Sequence, residues 1–240
     1  MKYFRNIMWV FIAIALAGCD PAPQGAFAQA NSSSDQKAVS WIADSQQSPV
    51  SDGVLTRKNF YVIIDGSGSM RDYVGGEMKI FAAKDAIKRF AQLVPADANL
   101  GLFAFDGKGI TERVPLGLDN RKAFIRELEN VDTDSNTPLK SAITGAYEKI
   151  RIQAGKQQGY GEYHLVIVTD GEANVGEDPT SIVNQILAES PVVIHTIGFG
   201  IGERHSLNQR GRTIYKSAGD KQGLSKGLSD VLAESEKFDK

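Results

Sequence analysis

The segment Phe60-Tyr61-Val62-Ile63-Ile64-Asp65-Gly66-Ser67-Gly68-Ser69 decides how the rest of the chain is read. Five apolar residues run without a polar break and stop at an aspartate. A half-exposed strand would alternate apolar and polar side chains. An unbroken run of this kind belongs to a central strand covered on both faces. Sheets covered on both faces are mostly parallel and carry helices on each side.

The flanking sequence supplies those elements. Ile80, Ala83, Ile87, Phe90 and Val94 repeat at helical spacing until Pro95 stops them. Leu100 to Phe105 is a second strand. Asp106-Gly107-Lys108-Gly109 is a hairpin turn that sends Ile110–Leu116 back antiparallel at a sheet edge. Asp119 or Asn120 is expected to cap a helix bearing Phe124, Leu128 and Val131. Pro138 opens another, with Leu139, Ile143, Ala146 and Ile150 on one face. His164–Val168 and Val192–Ile197 are further apolar strands. Between them, Asp178-Pro179 starts a helix carrying Ile182, Val183, Ile186 and Leu187. Leu224, Leu228, Val231 and Leu232 mark the last helix. The expected fold is α/β: a doubly wound, mostly parallel central sheet with one antiparallel edge strand and helices on both faces.

In such a sheet, ligands sit beyond the carboxyl ends of the strands, where strand order reverses. Two buried strands end in aspartate, Asp65 and Asp170. The first is followed by Ser67 and Ser69, with glycines between them that let the backbone turn sharply. Carboxylates and hydroxyls are hard oxygen donors, which suit Mg²⁺, Mn²⁺ or Ca²⁺ and suit zinc or copper poorly. Two other chemistries fit less well. A serine nucleophile on a strand-to-helix elbow needs Gly-x-Ser-x-Gly, and neither serine is flanked by glycine at both required positions. Phosphate-cradling glycine loops are missing too. No catalytic residues are expected, and the chain reads as a non-enzyme.

Asp65, Ser67 and Ser69, followed by Thr137 before a helix and Asp170 after the next strand, resemble the metal-ion-dependent adhesion site of the von Willebrand factor type A family. The resemblance spans roughly residues 58–235, and Ile197-Gly198-Phe199-Gly200 fits it as well. It departs in one place: the family often has glycine before the threonine, and here Ser135-Asn136 stand there. The resemblance implies one bound divalent ion with Ser67 and Ser69 as direct ligands. Thr137 and Asp170 would exchange direct and water-mediated contact, and Asp65 would act mainly through water. It also implies a protein partner whose Asp or Glu carboxylate completes the coordination. A metal-free domain of the same fold, serving assembly, is the alternative.

The N-terminus reads as a targeting segment. Lys2 and Arg5 precede Ile7–Ala17, an apolar run of about a dozen residues, where a membrane span needs about 20. Leu16-Ala17-Gly18-Cys19, with the only cysteine of the chain, resembles the lipobox of bacterial lipoproteins. Residues 1–18 are then a signal peptide, residues 19–57 a lipidated cysteine with a flexible tether, and residues 58–240 the domain. The other reading is a secretory signal cut after Ala26-Phe27-Ala28. Asp20 resembles the residue that retains enterobacterial lipoproteins at the inner membrane, although a plain surface aspartate would look the same. The expected location is the cell envelope, anchored by lipid and facing the periplasm. Trp41-Ile42 is an apolar spot in the tether that either packs on the domain or forms a handle. Apolar residues make up 42% of the chain, enough for an ordinary core, and a net charge of -2 with no basic block argues against a nucleic-acid partner.

Overall fold

The computed structural model describes Trp41, Ile42 and residues 55–236. Cys19, the signal segment and most of the proposed tether lie outside the described residues. Six strands form the main sheet: β1 (Lys58–Asp65), β4 (Asn99–Asp106), β5 (Gly109–Gly117), β6 (Glu162–Thr169), β7 (Val193–Phe199) and β8 (Ile214–Ala218). A separate two-stranded hairpin, β2 (Tyr73–Val74) with β3 (Glu77–Met78), follows β1. The described helices are α1 (Lys79–Leu93), α2 (Arg121–Glu129), α3 (Leu139–Lys156), α4 (Thr180–Glu189) and α5 (Lys221–Ser235).

The strand order is β5-β4-β1-β6-β7-β8. All neighbours are parallel except β4 and β5, so the antiparallel strand lies at the edge, as the hairpin turn requires. From β1 the chain first builds toward β4 and β5, then returns to the other side of β1 to lay down β6. The order therefore reverses between β1 and β6. This is the doubly wound, mostly parallel architecture that the apolar runs imply.

Alternation along β1 feeds two cores. Phe60, Val62 and Ile64 pack with α1, α2 and α5 through Ile87, Phe90, Phe124, Leu224 and Leu228. Tyr61 and Ile63 pack with α3 and α4 through Ile143, Tyr147 and Ile186. Each fully buried Val, Ile or Phe contributes about 1.5–3 kcal/mol relative to exposure, so a strand buried along both faces anchors both layers. Trp41 joins the second core. It is 2% exposed, its ring meets Tyr163 edge-on at 5.2 Å, and its carbonyl accepts from Arg151 Nε at 2.5 Å.

Three local features depart from the expectation. The start of α2 has no side-chain cap: Asp119 adopts a left-handed φ of 57°, and Asn120 Nδ2 donates instead to the carbonyls of Leu100 and Pro115. The side chain thus bridges the carbonyls of two paired strands in place of capping the helix. The edge strand β8 was not expected, because most of its residues are only partly buried and its Tyr-Lys-Ser centre breaks any apolar run. The β2–β3 hairpin turns on Gly75-Gly76, both with positive φ, a signal that its two-residue strands were too short to reinforce.

Candidate metal centre

Asp65 is the last residue of β1, and Asp170 follows the last residue of β6, so both stand at the reversal point. Asp65 is fully buried. Its Oδ1 accepts from the Ser67 backbone N–H at 2.7 Å, and its Oδ2 accepts from Thr169 Oγ1 at 2.5 Å. Burial pushes its carboxyl up to about 6, against the pull of the hydrogen bonds from Ser67 and Thr169, while Asp170 adds a smaller push. Ser67 Oγ lies 3.0 Å from Ser69 Oγ, and Ser69 Oγ donates to Asp170 Oδ1 at 2.7 Å. Thr137 is buried in the loop before α3. A Cβ placed on Gly171 would lie 3.7 Å from Ser69 Oγ and 3.9 Å from Thr137 Oγ1, so both hydroxyls flank the same small residue. Asp65, Ser67, Ser69, Thr137 and Asp170 are thus drawn to one end of the sheet.

The glycine of the first loop serves close approach rather than a left-handed turn. Neither Gly66 nor Gly68 has positive φ. A Cβ on Gly66 would lie 2.5 Å from the Asp132 carbonyl oxygen and 2.7 Å from Asp106 Cβ. Gly66 N–H donates to the Phe105 carbonyl at 2.8 Å, and Gly68 N–H donates to the Ser135 carbonyl at 2.9 Å. The first loop is therefore tied to the threonine loop, which turns without left-handed backbone at Ser135 or Asn136.

Several supporting residues escaped the sequence reading. Glu177 accepts from the Ser141 backbone N–H and hydroxyl, both at 2.8 Å, and Asn174 N–H donates to the Thr137 carbonyl at 3.1 Å. These bonds clamp the loop after Asp170 to the start of α3. Leu207 N–H donates to His205 Nδ1 at 3.1 Å, which leaves His205 Nε2 to donate to the Gly171 carbonyl at 2.9 Å. Lys79 Nζ lies 2.8 Å from Asp170 Oδ2, a contact between positions 91 apart in sequence. No local pattern in the chain announces such partners.

Oxygen chemistry sets what the arrangement can hold. Among the described residues no three His, Cys, Asp or Glu side chains cluster as a metal site. Counting hydroxyls as well as carboxylates, the five residues could offer a set of hard oxygen donors. Neither serine hydrogen-bonds to a histidine. The chain has three histidines: His164 and His195 contact each other in the core, and His205 serves Gly171. His195 is buried; its Nδ1 makes no hydrogen bond, and Glu234 Oε2 stands 3.5 Å from it.

Carboxylates and hydroxyls gather at the reversal point of a mostly parallel α/β sheet. The chain belongs to the von Willebrand factor type A family, whose domain model matches residues 60–172, a span that includes all five residues. It is similar to the uncharacterized protein YwmD of Bacillus subtilis (strain 168), with 32% identity over 155 residues, 59% of this chain and 67% of that one. Its fold is shared with an aerotolerance-related membrane protein from Bacteroides fragilis NCTC 9343, at TM-score 0.57 and 15% identity over 73% of this chain and 98% of that one. It is also shared with proximal thread matrix protein 1 from the mussel byssus, described with a zinc-occupied MIDAS motif. That match has TM-score 0.58 and 17% identity over 74% of this chain and 47% of that one.

Proposed function

We propose that this chain is a lipid-anchored, divalent-metal-dependent binding module that docks an acidic side chain of a partner protein. The observation that carries this reading is the convergence of Ser67, Ser69 and Thr137 hydroxyls with Asp65 and Asp170 at the strand-order reversal. Those five residues would hold the ion, with Mg²⁺, Mn²⁺ or Ca²⁺ best matched to oxygen donors. A bound ion would supply an open, electrophilic coordination position for a carboxylate. The protein's own part is to hold the hydroxyls in place. Asp65 fixes the Ser67 backbone, Ser69 spans to Asp170, and His205 and Glu177 brace the loop after Asp170. The zinc described in the byssus protein makes Zn²⁺ a fourth ion to compare.

Anchoring through Cys19 at the inner membrane, facing the periplasm, is part of the same proposal. It is supported by the lipobox-like Leu16-Ala17-Gly18-Cys19 and by the membrane protein that shares the fold. Cys19→Ser should move the chain from the membrane fraction to the soluble one.

The test of the centre is thermal unfolding with Mg²⁺, Mn²⁺, Ca²⁺ or Zn²⁺ against chelator. Stabilisation follows RT ln(1 + [L]/Kd), so a weak site at millimolar metal should yield about one to a few kcal/mol, absent in Asp65→Ala. A second reading, a metal-free assembly subunit, draws support from Lys79, which already occupies Asp170 Oδ2. Identical melts with metal and with chelator would favour that reading. Metal-dependent capture of a partner from native membranes, lost in Asp65→Ala, would favour the first.

A further inference from the structure

We propose that Lys79 is a working member of the centre: a fixed cation that weakens its hold on a divalent ion and leaves the loaded centre net positive, selecting an anionic group from the partner. This inference rests on the reading of the five residues as a metal site.

Lys79 is the first residue of α1, just after the β2–β3 hairpin, and its backbone N–H donates to the Asp72 carbonyl at 2.9 Å. Its side chain runs past Gly200, whose φ is +73°. A Cβ there would lie 3.3 Å from Lys79 Cε and 3.7 Å from Nζ. The glycine that ends Ile197-Gly198-Phe199-Gly200 therefore leaves room for this lysine to reach the centre. Nζ arrives 2.8 Å from Asp170 Oδ2, with the lysine side chain 13% exposed and the aspartate side chain fully buried. The other oxygen of Asp170 is taken by the Ser69 hydroxyl. A second carboxylate, Asp72, stands 4.0 Å from Nζ but is 71% exposed, so solvent screens it.

Nothing in α1 itself asks for a cation at this position. The first turn of a helix carries positive partial charge and disfavours lysine, and α1 has neither an acidic residue nor a side-chain cap there to offset it. Its partner is Asp170 instead. Buried ion pairs add little net stability over an apolar replacement, so stability alone is a poor reason to place one here.

Charge counting gives the pair its consequence. Asp65 and Asp170 contribute two negative charges and Lys79 one positive, so the bare centre is one net negative. A divalent ion turns that to one net positive. Without Lys79 the loaded centre would be neutral and would lose its electrostatic preference for an anion.

The experiment compares wild type, Lys79→Met and Lys79→Arg as the full chain, titrating Mn²⁺ calorimetrically and then titrating acetate into the Mn²⁺-loaded protein. Removing a like charge close to the ion should tighten Mn²⁺ binding by about fivefold or more in Lys79→Met. Lys79→Arg should stay within about twofold of wild type. The melting temperature of Lys79→Met should fall without metal and rise more with Mn²⁺ than wild type does, while its acetate binding weakens. Unchanged or weaker Mn²⁺ binding in Lys79→Met would overturn the proposal. So would equal loss of melting temperature with and without Mn²⁺, the mark of a purely structural lysine. If Lys79→Met does not fold, Lys79→Gln carries the same comparison. Wild type that binds no Mn²⁺ would overturn the metal reading and this inference together. Wild-type binding with unaltered variants would overturn Lys79's role alone.

Discussion

Ser69 Oγ donates to Asp170 Oδ1 at 2.7 Å, joining two loops 101 positions apart in sequence. Ser69 also lies 3.0 Å from Ser67 Oγ, so one hydroxyl links the loop after β1 to the loop after β6. Ser69→Ala deletes that link and takes a donor from a buried carboxylate. It should cost about 1–3 kcal/mol in urea unfolding under chelator. It should also remove most of the metal-induced stabilisation, a second effect that a surface serine would not show.

Gly66→Ala tests packing beneath the centre. The added Cβ would lie 2.5 Å from the Asp132 carbonyl oxygen and 2.8 Å from that of Phe105, and backbone cannot yield as a side-chain end can. Destabilisation of about 1–3 kcal/mol is expected, with weaker metal binding although every proposed ligand is kept. Wild-type stability in this variant would show that the two loops separate easily.

Acid should weaken the fold through His195. Burial, then His164 and Lys216, push its imidazole down to about 3, against an ordinary 6.5. The unfolded chain therefore takes up the proton first. The stabilisation is complete above about pH 6.5 and is lost as pH falls from there toward 3, at about 1.4 kcal/mol per pH unit for this group. His195→Gln should show a shallower loss of stability between pH 7 and pH 4 in urea titrations. Parallel curves for the two proteins would count against this assignment.

Trp41 lies on the second core, with Tyr163 against its ring and Arg151 on its carbonyl. Trp41→Ala should lower stability by about 3 kcal/mol, as truncation of a buried aromatic does. It should also speed proteolysis between residues 42 and 55, measured by limited digestion and mass spectrometry. Unchanged digestion would mean that this contact does not hold the N-terminal segment to the domain.

Much of this was legible in the chain because it depends on local pattern. Phe60–Ile64 and Leu165–Val168 are buried along their length and lack polar breaks, so they read directly as central strands. As candidates, Asp65, Ser67 and Ser69 were legible because they alternate with glycine after a strand, Asp170 because it ends one, and Thr137 only through the family resemblance. β8 stayed hidden since an edge strand needs no continuous apolar run. Asn120 has the side chain of a cap, but its partners, the carbonyls of Leu100 and Pro115, come near only once the strands pair. Trp41 offered no choice between handle and core until Tyr163 was in place.

Order of elements, two-sided burial and the oxygen character of the centre were written in residue type and spacing, which act over a few positions. The company those residues keep was not. Lys79 meets Asp170 across 91 positions, His205 meets Gly171 across 34, and Gly66 is forced by Asp132. Each pairing depends on strand order, because β6 is laid beside β1 only after the chain returns from the far edge. Periodicity reports which face of an element is buried; it carries no information about which distant loop will arrive there. The charge of the centre was therefore settled by folding, when the reversal between β1 and β6 brought a lysine to an aspartate.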